Sequence, residues 1–189
     1  DGLALQYANG AMREDRDLVL EAVKKHGGAL RYADVDMQGD KELVMEAVKS
    51  DGMALQFVAR QLRDDLDLIV VALQQNGMAL SLVNRRLRDR RDLVLLAVSQ
   101  NGMALEFAGP EMKRDREVAL RALKSNLQAM QLVDQELRAQ PEFMLEAVSL
   151  RGGAMQYAMG GLRSDPVFVM EALERNVWSF GGAARELRS

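Results

Sequence analysis

His26 is the one histidine in the chain, and there is no cysteine anywhere. A lone imidazole holds a metal only with further ligands, and it moves a proton only beside an organised partner. The carboxylates offer no such partner. Asp15, Asp40, Asp65, Asp115 and Asp165 recur at multiples of 25 residues, a spacing that suits helix caps better than an acid–base pair. His26 itself sits where other copies have Asp51, Asn76, Asn101 and Asn176, so it reads as a polar helix terminus. No G-x-S-x-G nucleophile motif is present. The glycines are spread one per period and build no phosphate loop. Without cysteine there is no disulfide, thiol catalysis or Cys-based zinc site. The expectation is a chain that is not an enzyme and carries neither cofactor nor metal.

The remaining chemistry is that of contact. Arg13, Arg63, Arg88, Lys113, Arg138, Arg163 and Arg188 share one phase of the period. Such a ladder either covers helix-end carbonyls and nearby acids or faces an acidic partner. The stretch "NRRLRDRR" at 84–91 is denser, with Arg85, Arg86, Arg88, Arg90 and Arg91. It is a candidate docking patch for an anionic surface, including peripheral membrane contact. Nucleic acid is not expected, because the net charge is −3 and no aromatic residue interleaves the arginines. Met53, Met78 and Met103 form a second ladder, whose phase elsewhere holds Leu3, Gly28, Gln128, Gly153 and Trp178. A position that tolerates Gly, Gln and Trp is peripheral and could serve as an adaptable apolar strip. Trp178 and Phe180 stand near the C-terminal end. They either cover the end of a stack or anchor another subunit.

The elements that must position these side chains follow from the repetition. "DGMALQFVARQLRDD", "NGMALSLVNRRLRDR" and "NGMALEFAGPEMKRD" follow one another at 25-residue intervals, and no insertion breaks the register across 189 residues. Gly2, Gly27, Gly52, Gly77, Gly102 and Gly152 mark one phase, which Leu127 and Val177 fill in the other units. Apolar residues make up 48% and charged residues 28%, which fits a folded chain with a sizeable core. No apolar run is long enough to span a membrane.

Each unit opens with a helix. The recurrent Asp caps it, Pro141 and Pro166 suit its first position, and an acid follows in six units, as at Glu42 and Asp67. Three apolar residues come next, and later an invariant alanine: Ala22, Ala47, Ala72, Ala97, Ala122, Ala147 and Ala172. The recurrent glycine reads as a left-handed C-terminal cap. "GMALEFA" predicts a second helix of about two turns. Asn9, Asp34, Asn84, Asp134 and the pair Gly109-Pro110 then predict a fresh cap for a single last turn. That turn carries one apolar anchor, such as Met12, Leu62 or Leu137. Arg90 and Gln140 lack the Asp cap. The first helix is apolar on more than one stripe, as in a helix sandwiched between neighbours. The alanine then marks a close helix–helix approach, and single units must stack to bury their faces.

"DREVALRALKSN" together with the recurrent G-x-A-L-x-Y/F-A resembles the tandem repeats of the domain-of-unknown-function 4116 family. The resemblance covers essentially the whole chain. It implies tandem helical architecture and a role in protein assembly, and it brings no catalytic residues with it. The expected fold is all-α, with tandem 25-residue repeats stacked as an α-solenoid in one continuous domain over 1–189. About seven and a half units are expected, cut mid-unit at both ends, with further repeats or flanking segments beyond. The expected function is a non-catalytic scaffold mediating protein–protein interaction within a larger assembly. The alternatives are a structural or linker subunit built into a large assembly, photosynthetic or of another organelle, and an array flanking a catalytic domain on another part of the polypeptide. The residues expected to meet a protein partner are the five arginines of 85–91, Met53, Met78, Met103, Trp178 and Phe180.

Overall fold

A computed structural model describes residues 2–187, apart from the side chains of Gly2, Leu3 and Glu186. The described residues are helical and contain no strand. They form two compact units, residues 1–100 and 101–189. The first holds the ten-residue α-helices Arg16–Lys25, Lys41–Ser50, Leu66–Gln75 and Arg91–Gln100. The second holds Arg116–Ser125, Pro141–Leu150 and Pro166–Arg175.

The caps lie where the recurrent Asp stands. Asp15, Asp40 and Asp65 each accept two backbone N–H groups of the first turn, as from Asp67 at 3.0 Å and Leu68 at 3.3 Å. In the second unit Asp165 likewise accepts two, and Asp115 accepts the N–H of Val118. Gln140 makes no side-chain cap bond, and there Pro141 removes one free donor.

The helix ends differ from the expectation. At His26, Asp51, Asn76, Asn126, Arg151 and Asn176 the chain is extended, with φ between −159° and −145°. Among the described residues positive φ occurs only at Gly160 and Gly161. The recurrent glycine is therefore not a left-handed cap. It is the first residue of the next element, a six-residue 3-10 helix such as Gly52–Phe57 or Gly77–Leu82. The second helix has the expected length but the tighter winding. Asp51 and Asn76 start it by accepting the N–H of Met53 and Met78. Its bonds then run over three residues, as from Ala54 N–H to Asp51 O at 2.9 Å.

Glycine is required there by a close approach. A Cβ at Gly27 would lie 2.2 Å from the Ala47 carbonyl oxygen, and one at Gly77 would lie 2.3 Å from that of Ala97. The Gly phase of one repeat and the Ala phase of the next thus meet backbone to backbone. The buried Gly N–H groups are satisfied from the same neighbour. Gly27 donates to Ser50 Oγ at 3.1 Å, Gly52 to Gln75 Oε1 at 2.7 Å and Gly77 to Gln100 Oε1 at 2.6 Å. Gly102 repeats both features in the second unit, against Ala122 and Ser125. Where Leu127 replaces glycine, its side chain lies over Gly153, whose added Cβ would meet Leu127 Cδ2 at 2.9 Å. The exchange of glycine for leucine is thus compensated one repeat later.

The single last turns appear as expected, for example Val35–Gln38 capped by Asp34 and Gln135–Arg138 capped by Asp134. Their ends are tied to the next repeat through the backbone. Ala59 N–H donates to Gln38 O, and Met159 N–H to Arg138 O, both at 3.0 Å. The core is one layer shared by neighbours within each unit. Leu43, Val44, Ala47 and Val48 are buried on one helix, with Ala54, Leu55 and Val58 below it, and the pattern recurs along each unit.

Candidate interaction surfaces

The cationic ladder turns inward. Arg63 Nε donates to Val58 O at 3.1 Å, and Arg88 donates to Val83 O and Ser81 O, each at 2.7 Å. Arg13 reaches Gln6 O, Lys113 reaches Glu106 O, and Arg138 reaches Val133 O. Arg163 donates to Gly182 O of the following repeat at 2.7 Å. Each thus occupies carbonyls that the end of a 3-10 helix leaves without intrahelical donors. Burial pulls the Arg138 guanidinium below its ordinary value. Arg188 lies outside the described residues.

The arginine cluster of 85–91 divides. Arg88 is part of that ladder. Arg90 pairs with Asp92, and the guanidinium holds this carboxyl below the usual carboxylate range. Arg91 is also engaged. Arg85 and Arg86 are exposed, and their side chains make no hydrogen bond or ion pair with any described residue. The cluster therefore presents two available guanidinium groups.

Met53, Met78 and Met103 are half-buried along the 3-10 helices. Leu3 of that phase falls among the side chains not described. Trp178 is 82% exposed and Phe180 43%. Val167, Met170 and Val177 of the same unit are exposed as well. His26 is exposed at a helix end and makes no side-chain cap bond.

Two features escaped the sequence reading. The first is a row of ion pairs linking neighbouring helix starts. Arg16 donates to Asp40 at 2.7 Å and to Glu42 at 2.8 Å, and Lys41 repeats this with Asp65 at 2.7 Å and Asp67 at 3.1 Å. The 24-residue offset between a base and the next repeat's cap was the available signal. The second is a hollow of about 340 Å³ between the 3-10 helix Gly2–Tyr7 and the Arg16–Lys25 helix, walled by Tyr7, Met12, Leu18 and Ala22. Among the described residues no group of three or more His, Cys, Asp or Glu side chains could hold a metal ion. No described helix is long and apolar enough to cross a membrane.

No curated protein and no solved structure matches the chain. Residues 1–38, 40–88 and 90–138 match, in three successive stretches, the family described as "Domain of unknown function (DUF4116)". The second and third stretches each take in close to two of the 25-residue periods, so the family unit is a pair of helix–3-10–turn modules. With its tandem modules, its Gly–Ala contacts and these three matches, the chain belongs to the DUF4116 family.

Proposed function

We propose that this chain is a non-catalytic helical-repeat scaffold that mediates protein–protein interaction. One observation carries the reading: the polar side chains are largely spent on repeat geometry, while large apolar ones are left exposed. Trp178, Val177, Val167, Met170 and Phe180 are all exposed in one unit, and exposed large apolar side chains are candidates for contact with a partner. Trp178 and Phe180 are the aromatic anchors of that surface. Arg85 and Arg86 add a small cationic contact for an acidic partner, and Met53, Met78 and Met103 an adaptable one.

Native size tests this. Added with a tag to an extract of the source cells, the 189-residue chain should migrate well above its own 21.0 kDa, and Trp178→Ala with Phe180→Ala should return it toward the free chain. A chain that runs as an unassociated monomer in fresh extract would sink the proposal. Exchange with added tagged chain separates two modes: rapid exchange marks a transient binding module, and none marks a permanent linker subunit.

A further inference from the structure

The outer face of the first unit changes character at two adjacent helices, Leu66–Gln75 and Arg91–Gln100, which pack side by side. The former buries Leu68, Ile69, Ala72 and Leu73 and turns Leu66, Val70, Val71 and Gln74 outward. On this outward face the phase of Val71 is charged in five of the seven long helices, at Glu21, Glu46, Arg121, Glu146 and Glu171. The two exceptions are the neighbours Val71 and Leu96. Three residues on, Lys24 pairs with Glu21 and Lys49 with Glu46, where Gln74 and Ser99 follow Val71 and Leu96. Leu66, 41% exposed, stands at the phase of Arg16 and Lys41. The groove between Arg16–Lys25 and Lys41–Ser50 makes the contrast plain. It is a hollow of about 470 Å³ in which Arg16, Lys24, Glu42, Glu46 and Lys49 surround Leu20 and Met45. At the same phases the seam between Leu66–Gln75 and Arg91–Gln100 has a single charge, Asp92, which Arg90 already pairs at 2.6 Å.

Helix stability gives no reason for this exchange. Valine is a weaker helix former than glutamate, and its presence gives up an ion pair of the kind that Glu46 makes with Lys49. We propose that the seam is a docking surface for one short amphipathic helix of another protein, which lays an uncharged apolar stripe along Leu66, Val70, Val71, Leu95 and Leu96. Two features select that occupant. The acids at the edge, Asp67 and Asp92, are paired with Lys41 and Arg90, so the surface asks its partner for no charge. Its size is the second. Two ten-residue helices, each about 15 Å long and about 10 Å apart, give a face of about 300 Å². One helix covers such a face, whereas a stable dimer of this chain would need about 800 Å² from each copy. This inference deepens the scaffold reading and rests on it, since it adds a surface and the chemistry of its partner.

The test is photo-cross-linking of the tagged full chain in an extract of the source cells, with p-benzoylphenylalanine in place of Gln74 at the edge of the seam. Light should join it to one other protein, at a segment whose sequence carries an uncharged apolar stripe of helical period. The same probe in place of Lys24, at the equivalent phase of a charged helix, should not. The yield should persist at about 0.5 M salt, because no ion pair holds the contact. Val71→Glu with Leu96→Glu installs the residue found at that phase in Glu21 and Glu46. It should cut the yield about tenfold or more and leave the melting temperature within about 2 °C. Four results would overturn the proposal: a yield indifferent to the double variant, a cross-link lost at high salt, a cross-link to a second copy of this chain, or a melting temperature that falls further, which would make these side chains part of the fold. A high-mass complex with no cross-link from position 74 overturns the seam and leaves the scaffold reading in place, whereas a chain that stays a free monomer sinks both.

Discussion

Two glycines at adjacent phases of the repeat, Gly77 and Gly28, do opposite work. Gly77 has a backbone oxygen 2.3 Å from where its Cβ would sit, whereas the nearest atom to a Cβ at Gly28 is 3.8 Å away. Neither has positive φ, so space alone decides. Gly77→Ala must push the Ala97 carbonyl and its helix aside, a cost of about 1–3 kcal/mol from overpacking. Gly28→Ala meets ordinary contacts and restricts the unfolded chain, and it is expected to stabilise by about 0.4–1 kcal/mol. Urea melts with an unchanged m-value read both, and equal midpoints for the two variants would refute the close-approach reading. The recurrence of glycine was legible in the sequence, but its cause was not. A glycine after Asn fits a helix cap equally well until the carbonyl of the next repeat is seen against it.

At the scale of the element, the long helices were legible because their signals are local: a cap Asp, an early acid, an apolar run and an alanine. The second helix was legible, but its 3-10 winding was not. Ala54, Leu55 and Val58 are all buried, a spacing that "GMALQFV" offers to an α-helical turn as readily as to a 3-10 one. The ion pairs and the inward cationic ladder were not legible, because their partners lie in a different repeat or on backbone atoms. Those pairs make the helix starts acid-sensitive. The Lys41 ammonium, with help from the backbone N–H of Leu68, holds the Asp65 carboxyl below its ordinary value. A depressed carboxylate stabilises the fold above its unfolded pKa of about 3.9 and loses that contribution as pH falls through the folded value. Asp65→Asn keeps a good cap residue but removes the charge. Melting temperature plotted from pH 7 down to about pH 2 should therefore fall less steeply for this variant. An unchanged acid limb would show that the pair contributes nothing to folding, as many exposed pairs do.

Within each compact unit, a repeat contacts its neighbours through the same few positions, so damage there should travel by neighbours and fade. The exchange of Leu127 for glycine, answered at Gly153, shows that an interface can be altered locally while those beside it within the unit keep their form. Ala97 gives the sharpest test. It is fully buried, and its carbonyl abuts Gly77. Ala97→Phe adds a ring where there is no room for a methyl on the facing glycine, an overpacking cost of about 1–3 kcal/mol or more. In a chain of this size each kcal/mol lowers the melting temperature by about 2–4 °C. Hydrogen exchange should locate the effect: amides of Leu66–Gln75, Gly77–Leu82 and Arg91–Gln100 lose protection, while those of Arg16–Lys25 in the same unit keep theirs. A uniform loss across residues 1–100 would mean that the unit unfolds as a single cooperative body, with no nearest-neighbour behaviour. An unaltered melt would remove Ala97 from the packed interface altogether.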